Sequence, residues 1–182
     1  MKKISKIIIE PGTKELKIDK TRTTIRAIII NEDQQLLMVY APKLKDYTFA
    51  GGGMKKGEDH IDALKREMKE ELGANKVFNI KPYGYIEEKR FGLSKLPTVY
   101  LQTSYYYMAS VSDFGKQQLA EREIDHGVIP VWVDIDKALK VNRLAIKEGT
   151  KKRGMQTVLR RENAVLKDVK KYLQKRQADE KI

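Results

Sequence analysis

The 182-residue chain carries 37 Lys and Arg against 25 Asp and Glu, a net charge of +12, with 41% hydrophobic residues and no cysteine. That length and composition describe one folded domain able to bury a core and exclude a disordered or low-complexity chain. Without cysteine, a disulfide framework, a thiolate zinc site, an iron–sulfur cluster and a cysteine nucleophile are excluded, and a reducing cytoplasm is the expected setting.

The chain opens with Lys2, Lys3, Ile4 and Ile7 to Ile9; Ser5-Lys6 interrupts the run and Glu10-Pro11 ends it, leaving no signal-peptide core. Nowhere do eighteen apolar residues run together, so neither export nor a membrane span is expected. Residues 23–30 and 36–40 are β-branched and aliphatic and flank a polar five-residue segment, which predicts a hairpin. Residues 41–57 hold Pro42, Gly51-Gly52-Gly53 and Gly57 and read as an irregular loop, with a short strand over 47–50. The spacing of Ile61, Leu64, Met68 and Leu72 predicts a helix over 58–72, stopped by Gly73.

Residues 76–80, 83–89, 98–110 and 128–133 read as strands, and 111–127 as a polar loop or partly helical connection. A short helix over 136–146, capped by aspartate, follows Trp132-Val133-Asp134. The final helix, over 155–176, places Val158, Leu159, Val165, Leu166, Val169, Tyr172 and Leu173 within an arc of about 140°. Residues 1–136 hold 22 basic and 20 acidic side chains and residues 137–182 hold 15 and 5, so the excess charge belongs to the carboxy-terminal part. Such a face is a solvated surface or a meeting place for phosphates.

At 100° per residue, Glu70 lies at about −60° and Glu71 at about +40° from Glu67, so three carboxylates share one helix face. Like charges at that spacing repel, and a hard cation such as Mg²⁺ or Mn²⁺ would offset the cost. A solvated acidic face is the alternative reading of ExxEE alone.

The wider pattern decides between them. Gly52 is followed by five residues and Glu58, then by seven residues and Arg66-Glu67-Met68-Lys69-Glu70-Glu71-Leu72-Gly73-Ala74. This resembles the signature of the Nudix hydrolase family at every charged and glycine position. It departs at Ala74, where a larger aliphatic is usual, and at Ala50, where a proline commonly precedes the glycines. The resemblance spans about residues 23–146 of a single domain covering 1–182; residues 1–22 and the basic helix of 150–182 carry no motif.

The resemblance implies an α/β fold, a Nudix-type α/β/α sandwich around a mixed β-sheet, with the carboxy-terminal amphipathic helix added. It implies Mg²⁺-dependent (or Mn²⁺-dependent) cleavage of a pyrophosphate linkage in a nucleoside diphosphate derivative: a nucleotide, nucleotide-sugar or ADP-ribose-like compound. Glu70 and Glu71 match the metal-ligand pair, Glu67 a position that ligates metal or acts as base, and Arg66 the arginine that orients a box carboxylate. Glu58 matches a supporting acidic position counted with the metal set, and Gly52, with Gly53 beside it, a loop that lets backbone approach metal or phosphate.

An acid outside the box serves as ligand or base in several members, and Glu123 is preferred here over Glu121 and Asp125. Tyr47 and Phe49, with Tyr85, are candidates to stack on a base, core packing being the alternative. His60 is expected at an exposed, variable box position, and His126 beside the acidic loop. RNA 5′-end hydrolysis, favoured slightly by the basic helix, and a non-catalytic nucleotide-sensing domain are the competing functions. A homodimer through the amphipathic helix is also compatible.

Overall fold

The computed structural model describes residues 1–93, 98–149 and 152–179. Its elements in chain order are β1 (Lys2–Lys3), β2 (Ile8–Ile9), β3 (Lys20–Ile28), β4 (Leu36–Ala41), β5 (Asp46–Phe49) and β6 (Gly51–Gly53), then α1 (His60–Leu72), β7 (Ala74–Phe91) and β8 (Val99–Phe114), and finally α2 (Glu121–His126), β9 (Ile129–Val133), α3 (Ile135–Lys147) and α4 (Val158–Asp179). One mixed sheet runs β1-β7-β8-β3-β6 with β2 also on β7, and a second, antiparallel sheet runs β5-β4-β9.

The predicted hairpin is corrected here. The chain reverses through Asn31, whose amide donates to Gln35, and the two strands meet at the bridge between Ile30 and Leu36. They then part: β3 lies parallel to β8 and antiparallel to β6, while β4 lies between β5 and β9. The reason is in β4 itself, where Leu36, Leu37, Met38 and Val39 are all buried. A strand apolar on both faces belongs inside a layered core rather than at the edge of a half-exposed hairpin.

Two cores result. Leu37 and Val39 join Ile25, Ala27 and Ile29 under the α1 stripe of Ala63, Leu64, Met68 and Leu72. Leu36 and Met38 turn the other way, to Phe49, Tyr106, Leu139, Val165, Leu166 and Val169, so that α3 and α4 cover the opposite side. The layers are helix, strands, helices, as the α/β/α expectation requires.

Other boundaries shift for local reasons. The glycine triplet is strand β6, paired with β3, rather than irregular loop. Strand β7 joins the two segments predicted at 76–80 and 83–89, with register breaks between Phe78 and Lys81 and between Pro82 and Gly84. Residues 2–10 are stitched to its outer edge through β1 and β2 and through Glu10, whose carboxylate accepts from the amides of Phe91 and Gly154 at 2.8 and 2.7 Å. Among the described residues no helix is long and apolar enough to cross a membrane.

Candidate active site

The box glutamates are placed by the packing of α1. Asp59 caps the helix, its carboxylate accepting from the amides of Ile61 and Asp62 at 2.8 Å. Seating Leu64, Met68 and Leu72 on the sheet rolls Glu67, Glu70 and Glu71 toward β6. There the Gly51 amide donates to Glu71 Oε2 at 2.7 Å. Gly51 has φ of +133°, and a Cβ on it would lie 2.1 Å from the Ile25 carbonyl oxygen. A Cβ on Gly52 would lie 2.7 Å from both carboxylate oxygens of Glu67. Two glycines are therefore required where the strand meets the carboxylates.

Arg66 uses its whole fork. Nε and one terminal nitrogen donate to Glu58 at 2.6 and 3.0 Å, and the latter also to the Gly53 carbonyl at 2.9 Å. The other terminal nitrogen donates to Glu67 at 2.6 Å and to Glu70 at 3.0 Å. The arginine thus ties two box carboxylates to the glycine strand, with Glu58 as its anchor. Hydrogen bonds from Arg66 and from the Lys55 amide hold the Glu58 carboxyl down at about 2. The Arg66 guanidinium is correspondingly raised, first by Glu58.

The two carboxylates nearest β6 both shift upward, opposite to Glu58. Desolvation pushes Glu71 up to about 8, and Arg26 and the Gly51 amide only partly counter it. Its edge toward the cleft keeps some solvent access, yet protein atoms enclose the carboxylate, so enclosure governs its proton affinity. Glu67 is also raised by burial, against the pull of Arg66.

These groups line a cleft of about 660 Å³. Gly51, Gly52, Gly53, Glu67, Glu70 and Glu71 form one wall. Glu123 and His126 of α2 stand at its edge. The segment before α2 is fastened to the end of α1: Gly115 donates to Gly73, Gln118 to Glu70 and the Gln117 side chain to Glu71, all to backbone oxygens. Glu123 is half-buried and near enough to Glu71 to raise it, with one oxygen accepting from the Ala120 amide at 2.8 Å. Glu121 and Asp125 are exposed and do not line the cleft.

Four expectations need correction. Tyr47 and Phe49 lie in the core, 6% and 0% exposed, Tyr47 stacked on Tyr40 and Phe49 edge-on to Tyr106. Alternation along β5 turns Thr48, between them, to the cleft instead. Tyr85 packs on Tyr105 and does not line the cleft. Glu58 also lies off the cleft, with its oxygens committed to Arg66 and Lys55, so it positions the box rather than joining the metal-facing set. His60 is half-buried, 2.7 Å from the Tyr107 hydroxyl, and its ring packs on Tyr105.

The cleft is also lined by residues that sequence reading passed over: Arg22, Arg26, Arg90, Arg122 and Arg161. Arg22, Thr24 and Arg26 alternate along β3, and this polar spacing in an aliphatic run was a visible signal. Arg161 and Glu162 fall within the turns of α4 that carry Leu159, Val165 and Leu166, and both are buried. A charged pair on an apolar stripe was the corresponding signal there.

The donor set fits a hard divalent cation: three carboxylates face one cleft, and Glu71 is enclosed with no ion pair among the described residues. Among the described residues no three acidic or imidazole groups converge at ligand spacing, and Glu67 and Glu70 both accept from Arg66.

Comparison with known proteins agrees with this geometry. A family model described as the NUDIX domain matches residues 20–153. The chain belongs to the NUDIX family. It is a pyrophosphohydrolase of that family, retaining every glutamate of the box. Its structure is similar to that of a NUDIX hydrolase from Nitrosomonas europaea, with a TM-score of 0.50, 20% identity, and coverage of 73% of this chain and 93% of that one. It also matches MutT from Aliivibrio salmonicida and Vibrio cholerae (TM-score 0.43, 18% identity, 70% and 93% covered) and a MutT NUDIX hydrolase from Burkholderia pseudomallei (0.47, 18%, 64% and 84%). No curated protein matches the sequence.

Proposed function

We propose that this NUDIX protein hydrolyses a pyrophosphate bond in a nucleoside diphosphate derivative, with Mg²⁺ held by Glu67, Glu70 and Glu71. The observation that supports this best is the meeting of those carboxylates with Gly52, Gly53 and Glu123 in one cleft. When bound, the cation supplies neutralisation of the phosphate oxygens and binding of water. Mn²⁺ suits the same oxygen donors.

The chain's own residues do the rest. Gly52 and Gly53 leave room for the diphosphate against the backbone. Arg66 ties Glu67 and Glu70 to the glycine strand and so keeps both carboxylates on the cleft, from which they turn to the cation. Glu123, with one oxygen held by the Ala120 amide, uses its other oxygen to accept a proton from the attacking water. Water oxygen bonds to phosphorus, the bridging P–O bond breaks, and two phosphate-terminated products leave.

The test is product analysis by mass spectrometry after incubation with pooled nucleoside triphosphates, ADP-ribose, nucleotide sugars, dinucleoside polyphosphates and a 5′-triphosphate RNA, with and without Mg²⁺. Metal-dependent cleavage of one class, lost in Glu71→Gln, is expected. Metal-independent cleavage, or equal activity of that variant, overturns the reading.

A further inference from the structure

We propose that Arg22 and Arg122 form an anion subsite in the cleft, taking a phosphate of the substrate beyond the two that flank the cleaved bond. This rests on the reading of the cleft as a diphosphate hydrolase. The cleft is lined by five arginines, but their charges are not equally spoken for. Arg161 is neutralised within the protein by Glu88 and Glu162. Arg90 donates to the carbonyls of Phe91 and Gly154 and to Gln102. Arg26 donates to the Phe49 carbonyl.

Arg22 makes no hydrogen bond or ion pair among the described residues, although it lines the cleft. Arg122 donates only to the Met155 sulfur, at 3.1 Å, a weak acceptor for a guanidinium. Burial depresses the Arg22 guanidinium, and repulsion from Arg26, Arg161 and Arg122 adds to it. The side chain is open to water at the cleft mouth, yet it is crowded on the protein side by like charge. A polyanion relieves that repulsion, and a guanidinium fork matches phosphate oxygens in pairs.

Placement sets which phosphate is meant. The Arg22 terminal nitrogen lies 3.1 Å from where a Gly53 Cβ would stand, one residue from the glycine that abuts Glu67. Arg122 is the neighbour of Glu123 on α2. The pair therefore flanks the reacting centre from two elements, within reach of the next phosphate along a chain. A substrate with three or more linked phosphates uses the subsite; a nucleotide sugar, with a neutral group there, does not.

The experiment compares wild type with Arg22→Gln/Arg122→Gln on a nucleoside triphosphate and on a nucleoside diphosphate sugar of the same base, in Mg²⁺. The double variant should lower kcat/KM for the triphosphate at least tenfold more than for the sugar, mainly through KM. Equal losses on both, or no loss on either, overturn the subsite. Calorimetric binding of a methylene-bridged, uncleavable nucleoside triphosphate separates this from the catalytic reading. Wild type should bind it at least tenfold more tightly than the double variant even if neither substrate turns over, whereas equal binding overturns the subsite and leaves hydrolysis to be judged alone. Both arginines are exposed, so the thermal midpoint of the variant should match wild type.

Discussion

Arg161 donates to Glu88 at 2.7 Å in a pair of which neither side chain is more than 2% exposed. Glu162 accepts from the same guanidinium and from the Phe49 amide. The pair joins α4 to β7, and Glu162 joins it to β5, directly behind the cleft. Removing one member strands a buried charge, at a cost of about 3–5 kcal/mol. Arg161→Met should therefore unfold at lower denaturant, by roughly that free energy, whereas Lys167→Met on the exposed part of α4 should change it little. Equal effects would show that the pair has no special weight.

The same pair sets an acid limit. Burial would raise the Glu88 carboxyl, but Arg161 outweighs it and the net shift is downward. A carboxyl with a depressed folded pKa contributes stability that is complete above its unfolded value and is lost as pH falls through the folded one. Wild type should lose stability below about pH 4.5, the ordinary carboxyl value. Glu88→Gln should be less stable at neutral pH and show a shallower acid slope in urea unfolding measured from pH 7 to 2.

Glu71 predicts the opposite slope. Its folded pKa, about 8, lies above the unfolded value, so the metal-free protein holds this proton more tightly than the unfolded chain. The stability of that form is greatest below about 4.5 and falls as pH rises toward 8. Cation affinity should rise over the same window, because the ligand must lose its proton. Glu71→Gln should remove both trends, as read by thermal unfolding in EDTA and by Mn²⁺ titration between pH 5 and 9.

Gly52→Ala places a methyl 2.7 Å from the Glu67 carboxylate. The carboxylate must move, and a displacement of this order at a reacting centre costs about 10²-fold in kcat. Glu58→Gln should act more gently, since it loosens Arg66 without touching substrate: about 10-fold in kcat and in metal affinity, with partial retention in Glu58→Asp. Initial rates against Mg²⁺ concentration measure both.

Much of this was legible in the sequence, for identifiable reasons. The α1 stripe and the carboxylates beside it follow from periodicity, and the glycine-to-glutamate spacing gave the family. The failed readings share a cause, since periodicity reports which residues are apolar and not which of two neighbours a strand will choose. The run in β4 was compatible with a hairpin or with a strand covered on both faces, and only the helical layers decided it. Tyr47 and Phe49 are candidates because their segment lines the cleft in related folds, but alternation on β5 sends them to the core and Thr48 to the cleft. Arg161 and Arg90 were hidden because a charged residue is normally exposed, and their burial depends on Glu88, Glu162 and Gln102 from other elements.

Cleavage of the active substrate in H₂¹⁸O with Mg²⁺, followed by mass spectrometry of both products, tests the central claim most directly. One ¹⁸O should enter one of the two phosphate products, with no incorporation in EDTA and none above background in Glu71→Gln. Cleavage without solvent oxygen, or incorporation that survives loss of the metal or of the Glu71 carboxylate, would contradict metal-assisted hydrolysis at these glutamates.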